Sequence, residues 1–187
     1  IIVLQGDATK VNRPEKVDVI ICELLSTGLF FEPETEVLDH LRQFLKKKGK
    51  IIPQECVSWI QLVKAQKSSY GLYLNYDSRT ERLNDKGLSN KVVFDELAFQ
   101  EKEEPLVIDT KVKVKASNNG TVNAVRITSK AKLSDNTYTK QSKFLFNPMI
   151  IYLKDPINIK KGKKYSIHIK YKRGEDTLGT KIEVKEV

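Results

Sequence analysis

Long apolar runs are missing from this 187-residue sequence, and without one no segment is expected to span a membrane. No signal peptide is visible either, so a cytoplasmic location is the default expectation. Cysteine is scarce, and Cys22 and Cys56 both fall in apolar stretches without metal-ligand spacing. That argues against a zinc site or a disulfide and for buried, reduced thiols. Histidine is equally scarce: His40 falls on a helical pattern and His168 in a late strand pattern, and both read as ordinary positions of those elements rather than as catalytic groups. No internal repeat stands out and nothing is of low complexity.

What the chain does have is charge of both signs. Lys and Arg total 33 against 24 Asp and Glu, a net charge of +9 that admits acidic partners such as nucleic acid. The abundance of Lys together with Glu also suits a heat-adapted surface. The length is enough to bury a sizeable core and to hold one domain or one and a half.

The most informative stretch runs from Val17 to Phe44. Val17, Val19, Ile20, Ile21 and Cys22 form a near-continuous apolar run, the pattern of a strand covered on both faces in a parallel sheet. Pro33 suits the first position of a helix, Glu34 and Glu36 suit its positive end, and Val37, Leu38, Leu41, Phe44 and Leu45 recur at helical spacing. Lys46, Lys47 and Lys48 are expected at the helix C-terminus, with Gly49 closing it in a left-handed cap. Between strand and helix lies a loop with Glu23 at one end, Glu32 at the other and no charge between. It leaves the carboxyl end of the strand, where open α/β sheets place ligands. On spacing alone the two acids read either as solvated surface groups or as a pair converging on one cationic or amino-bearing substrate.

At these residues the sequence resembles a family. Cys22-Glu23-Leu24-Leu25-Ser26-Thr27-Gly28-Leu29-Phe30-Phe31-Glu32 is similar to the double-glutamate loop of protein arginine methyltransferases, and Val17 to Ile21, the following helix and Ile51-Ile52-Pro53 match its flanks. Ile150 to Pro156 with Lys160-Lys161-Gly162 more weakly resembles a barrel segment of that family. The resemblance implies an S-adenosylmethionine-dependent N-methyltransferase in which Glu23 and Glu32 hold the acceptor. It implies adenine contacts at Asp7 and Ala8, within Gln5-Gly6-Asp7-Ala8-Thr9, where the residues alone also read as a plain turn capped by Asp7. The family's glycine-rich cofactor loop is not present, so an N-terminally truncated enzyme, inactive as it stands, is the expectation.

Two positions depart from the family. Leu24-Leu25 stands where Trp-Met is usual, and Phe144-Leu145-Phe146 stands near the place of Thr-His-Trp. The acceptor is thus open between protein arginine, nucleic acid (RNA or DNA) and another amine, and a non-catalytic binding module that kept the fold is the third reading. Lys46 to Lys50 and Lys160 to Lys164 are the candidate cationic patches.

Beyond Pro53 short β-rich stretches alternate with turn signals, as in an antiparallel sandwich or barrel. Thr110 to Lys115 alternates valine with lysine, Tyr165 to Tyr171 alternates again, and Lys181 to Val187 reads as a closing strand. Turns are expected at Asn118-Asn119-Gly120 and Ser134-Asp135-Asn136. Residues 75–91 read as a surface loop rather than the family's dimerisation arm, which leaves a homodimer open. The fold class is therefore α+β: the C-terminal portion of a Rossmann-like sheet over 1–53, then a β-barrel or sandwich substrate domain over 54–187.

Overall fold

The computed structural model describes residues 1–13, 15–69, 72–73, 77–101, 106–139 and 146–187. The chain is mostly β. It runs β1 (Val17–Ile21), α1 (Glu34–Leu41), β2 (Leu45–Ile52), β3 (Glu55–Lys64), the two-residue β4 and β5 (Ser68–Ser69 and Leu72–Tyr73), β6 (Ser78–Thr80), β7 (Lys86–Gly87) and β8 (Val92–Ala98). Then follow β9 (Val107–Lys115), β10 (Gly120–Ser134), β11 (Thr137–Tyr138), β12 (Met149–Ile159), β13 (Lys164–Lys172) and β14 (Lys181–Glu186).

Strands β6, β12, β10, β3 and β7 lie side by side in that order, with β8 also pairing β3 and β11 also pairing β10. A second sheet has the order β14, β13, β9. The inward residues of both sheets alternate with outward ones, and the two apolar faces meet: Ile60, Leu62, Val125 and Ile127 from one, Val114, Ile167, Ile169 and Tyr171 from the other. Among the described residues the sheets do not close, so the antiparallel part is a sandwich rather than the expected barrel alternative. The edge strand β14 shows why, since its outward positions Lys181, Glu183 and Lys185 are charged and exposed, which disfavours pairing with another strand.

A second core lies beside the first along β3 and β10. Leu38 and Val37 of α1, Ile20 of β1 and Ile51 of β2 pack there on Cys56, Leu97, Ala131 and Phe146. Where the cores meet, the Ser58 and Ser129 hydroxyls share a buried hydrogen bond of 2.8 Å.

The helix is shorter than the sequence suggests. It ends at Leu41, a single 3-10 turn follows over Arg42–Phe44, and Lys46, Lys47 and Lys48 lie in a strand, not at a helix end. That strand pairs in parallel with β1, matching Val19 to Lys50, Ile20 to Ile51 and Ile21 to Ile52. Gly49 is accordingly not a left-handed cap. A Cβ there would stand 3.0 Å from the Asp18 carbonyl and 2.6 Å from the Leu45 side chain, so the glycine permits close approach of the pair.

The alternating stretches behave as expected: Val114 is buried between exposed Lys113 and Lys115, and β13 and β14 occupy the predicted segments. Ser134-Asp135-Asn136 turns β10 into β11. Residues 75–91 contain more order than a surface loop, with residues 75 and 76 outside the described residues. The Arg79 guanidinium donates two hydrogen bonds to the buried Asp85 carboxylate, whose Oδ1 and Oδ2 also accept from the Gln66 and Arg82 N–H groups. Both cysteines are free and buried. Among the described residues no helix is long and apolar enough to cross a membrane.

Candidate functional site

The loop between Glu23 and Glu32 is a plug. Leu29 enters the second core and Phe30 the first, where its ring stacks on Tyr171 with centroids 4.2 Å apart. The peptide units around Gly28 are held on both sides: its N–H donates to Ser129 Oγ at 2.8 Å, and its carbonyl accepts from the Tyr171 hydroxyl at 2.8 Å. The Thr27 hydroxyl donates to the Asn147 carbonyl at 2.6 Å. Gly28 has φ +69°, and a Cβ there would meet the Phe30 ring at 2.7 Å, so only glycine fits.

Leu29 and Phe31 also have positive φ, 55° and 65°. Bulky residues adopt that region at a cost of about 1–3 kcal/mol each, sustained only where the surroundings over-determine it. Here those surroundings include the turn after β13, where the Gly174 N–H donates to the Leu29 carbonyl and the Phe31 N–H donates to the Glu175 carbonyl, each at 2.9 Å. The loop is thus fixed in its middle and presents its two glutamates, both exposed, at its ends.

Glu32 lines a cavity of about 460 Å³ with Ser26, Thr27, Phe31, Arg79 and the segment Phe146–Met149. Glu23 is not part of that lining. Phe144 and Leu145 lie outside the described residues, while Phe146, the third residue of that segment, is buried with φ 53° at the cavity wall.

A third glutamate links the two ends. Glu34, the first residue of α1, is 0% exposed, and its Oε2 accepts the Leu24 N–H at 2.7 Å. Among the described residues its Oε1 is buried with no hydrogen-bond partner. Burial pushes the carboxyl up to about 7; the Leu24 N–H and the Cys22 thiol pull it down, and the charges of Glu23 and Glu32 push it further up. Both exposed glutamates are therefore within electrostatic reach of one buried carboxyl. Burial, then Glu34, push the Cys22 thiol up to about 12, so it is no nucleophile. In sequence Glu34 carries only the signature of a helix-start acid. Nothing local distinguishes it from Glu36, which is exposed.

Asp7 and Ala8 sit apart in an exposed turn. Asp7 Oδ1 accepts from the Thr9 N–H and hydroxyl, Oδ2 pairs with Lys10, and these bonds, the Thr9 hydroxyl first, hold its carboxyl down to about 2. The segment is tied to α1 by the His40 ring, whose Nε2 donates to the Val11 carbonyl at 2.6 Å. His168 faces Asp109 on the far sheet, away from the loop.

No protein-family model matches the sequence. In structure, the chain superposes on a chain of the Trypanosoma brucei PRMT1 enzyme-prozyme heterotetrameric complex with AdoHcy, with a TM-score of 0.74 and 13% identity over 97% of this chain and 71% of that one. The two share a fold. In sequence, the uncharacterized protein MJ1452 of Methanocaldococcus jannaschii is 31% identical over 183 residues, 96% of this chain. This chain spans 66% of that relative's length. Protein arginine N-methyltransferase 5 of Xenopus laevis is 37% identical over 65 residues, 35% of this chain and 10% of that protein.

Proposed function

We propose that the chain belongs to an S-adenosylmethionine-dependent N-methyltransferase related to the protein arginine methyltransferases, with residues 1–53 serving the cofactor and 54–187 the substrate. The observation that carries this reading is the pinned loop. Its middle is clamped at Gly28, strained at Leu29 and Phe31, and ends in two exposed carboxylates around the buried Glu34. Strain held by surrounding structure is what a site uses to keep groups preorganised.

In this reading Glu23 and Glu32 grip the acceptor through charge-assisted hydrogen bonds. A planar guanidinium suits two carboxylates, which draw positive charge toward themselves and leave the remaining nitrogen free to attack. S-adenosylmethionine, when bound, supplies a sulfonium-borne methyl group. Asp7 fits an adenine amino group: held ionised, with three of about four acceptor positions used by Thr9 and Lys10, it keeps one to accept with. Alignment of donor and acceptor on a fixed loop then lowers the barrier without a strong base.

The test is calorimetric titration of S-adenosylmethionine into the full-length protein, followed by labelled methyl transfer to an arginine-rich peptide. Cofactor binding with transfer lowered about 10- to 100-fold in Glu23→Gln and Glu32→Gln is the expected result. Absence of cofactor binding overturns the reading in favour of a non-catalytic module.

A further inference from the structure

The outward face of the β9–β13–β14 sheet carries a charge arrangement that the fold itself disfavours. Lys115 of β9 stands directly opposite Lys164 of β13, and Lys170 of β13 directly opposite Lys181 of β14. Like charges facing each other across paired strands destabilise a sheet. Ion pairing relieves only part of this: Lys170 reaches Asp109 at 2.8 Å and Lys185 reaches Glu183 at 2.9 Å. Asp109, which His168 also reaches at 2.6 Å, and Glu183 are the acids among the outward residues of the three strands, and beyond the end of β13 Glu175 pairs with Lys172 at 2.7 Å; lysines stand on all three strands. A heat-adapted surface intersperses the two signs, and here the Lys113–Lys115–Lys164 end of the face carries no acid among its outward strand residues.

The shape is as suggestive as the charge. On the middle strand the outward residues between the lysines are small or flat, Ser166 and His168, flanked across the sheet by Lys113 and Lys185, and by Lys111 and Glu183. Between them is a shallow groove of about 130 Å³. The tyrosines of β13, Tyr165 and Tyr171, point the other way into the core, and the single ring on the outward face of that strand, His168, is hydrogen-bonded to Asp109, so the face offers no row of rings on which successive bases could stack. Lysines two positions apart on β9 stand about 6.7 Å apart, the axial span of about two phosphates along one strand of a duplex.

We propose that this face binds nucleic acid through its phosphate backbone, without base preference. Cations in rows without aromatic platforms recognise phosphates and not bases. The middle strand also leads somewhere. β13 ends at Lys172, and the turn that follows it holds the Leu29–Phe31 backbone through Gly174 and Glu175. That turn is acidic, with Glu175 pairing Lys172 at 2.7 Å, so the track for a polyanion ends before it and the loop carboxylates stay clear. The proposal does not depend on the methyltransferase reading.

The experiment measures binding of a fluorescent 20-base-pair mixed-sequence DNA duplex to the full chain between 50 and 300 mM salt. One variant is Lys113→Ala/Lys115→Ala/Lys164→Ala. A second, losing the same charge elsewhere, is Lys46→Ala/Lys47→Ala/Lys48→Ala on β2. The first is expected to weaken binding about tenfold or more and to flatten the slope of log K against log salt by about 2 to 3, while its melting temperature stays level or rises because a like-charge opposition is gone. The second is expected to bind within about threefold of the parent, the bulk effect of net charge alone. Equal losses in both variants, or no duplex binding at 50 mM salt, overturn the proposal. So does competition by polyglutamate of equal charge as effective as that of unlabelled duplex, which assigns the face to acidic protein instead.

Discussion

The parallel pair β1–β2 and the antiparallel sandwich handle apolar surface in opposite ways. In the sandwich the inward faces of the two sheets meet, and Ile60, Leu62, Ile127, Ile167 and Ile169 are wholly buried. In the parallel pair one face is buried against α1 and the second core, but Val19 and Ile21 of β1 remain 46% and 75% exposed. The Glu23–Glu32 loop grows from the less sealed region and is held by the better sealed one. Its fixed geometry comes from Ser129, Tyr171 and the turn after β13, not from the strand it leaves. A site on a loop becomes rigid when the loop is part of a core.

Cutting that connection has the largest expected effect. Phe30 is 0% exposed and fills the sandwich core from the loop. Phe30→Ala is expected to cost about 3–5 kcal/mol in urea unfolding. It is also expected to release β1 amides to fast hydrogen exchange while β10 and β13 stay protected. Equal deprotection of all three strands would mean that the two regions unfold as one and that the contrast between them has no energetic content.

Glu34 sharpens the comparison from the other side, because it is a charge buried in the less sealed region. Its folded-state value of about 7 lies above the ordinary 4.5, so the folded protein holds this proton more tightly than the unfolded chain. The stability it contributes is therefore full below about pH 4.5 and is lost as pH rises through about 7. Glu34→Gln keeps an acceptor for the Leu24 N–H and removes the titration. It is expected to gain up to about 3 kcal/mol at pH 8 and almost nothing at pH 4.5. A stability difference that does not change with pH would show that Glu34 stays ionised in the folded protein.

Legibility in the sequence followed the same division. The alternation of Lys111, Lys113 and Lys115 with Val112 and Val114 is a local signal, and it placed β9 and its faces correctly. The run Leu45–Ile52 misled because its strand state is imposed by β1, a partner in space, while its lysines and glycine look like a helix ending. Glu23 and Glu32 were visible through the uncharged loop between them and the family resemblance. Glu34 was not, since its burial depends on an N–H ten residues earlier that needs an acceptor. Residues 75–91 looked like plain loop because the Arg79–Asp85 pair that orders them leaves no periodicity.

The smallest expected effect is the most direct test of the contrast. Ile20 and Ile21 are neighbours on β1 that point to opposite faces, one 7% and the other 75% exposed. Ile20→Thr replaces the two-carbon arm of the side chain in the second core with a hydroxyl, so it is expected to cost about 2–3 kcal/mol. Ile21→Thr changes a group already in water and keeps the β-branching that suits a strand, so it is expected to stay within about 0.5 kcal/mol of the parent. Urea unfolding of the two variants at one pH gives the ratio. A cost above about 1 kcal/mol for Ile21→Thr would mean that the outer face of β1 is packed in solution after all. The parallel pair would then be as fully sealed as the sandwich, and the loop would owe its position to both.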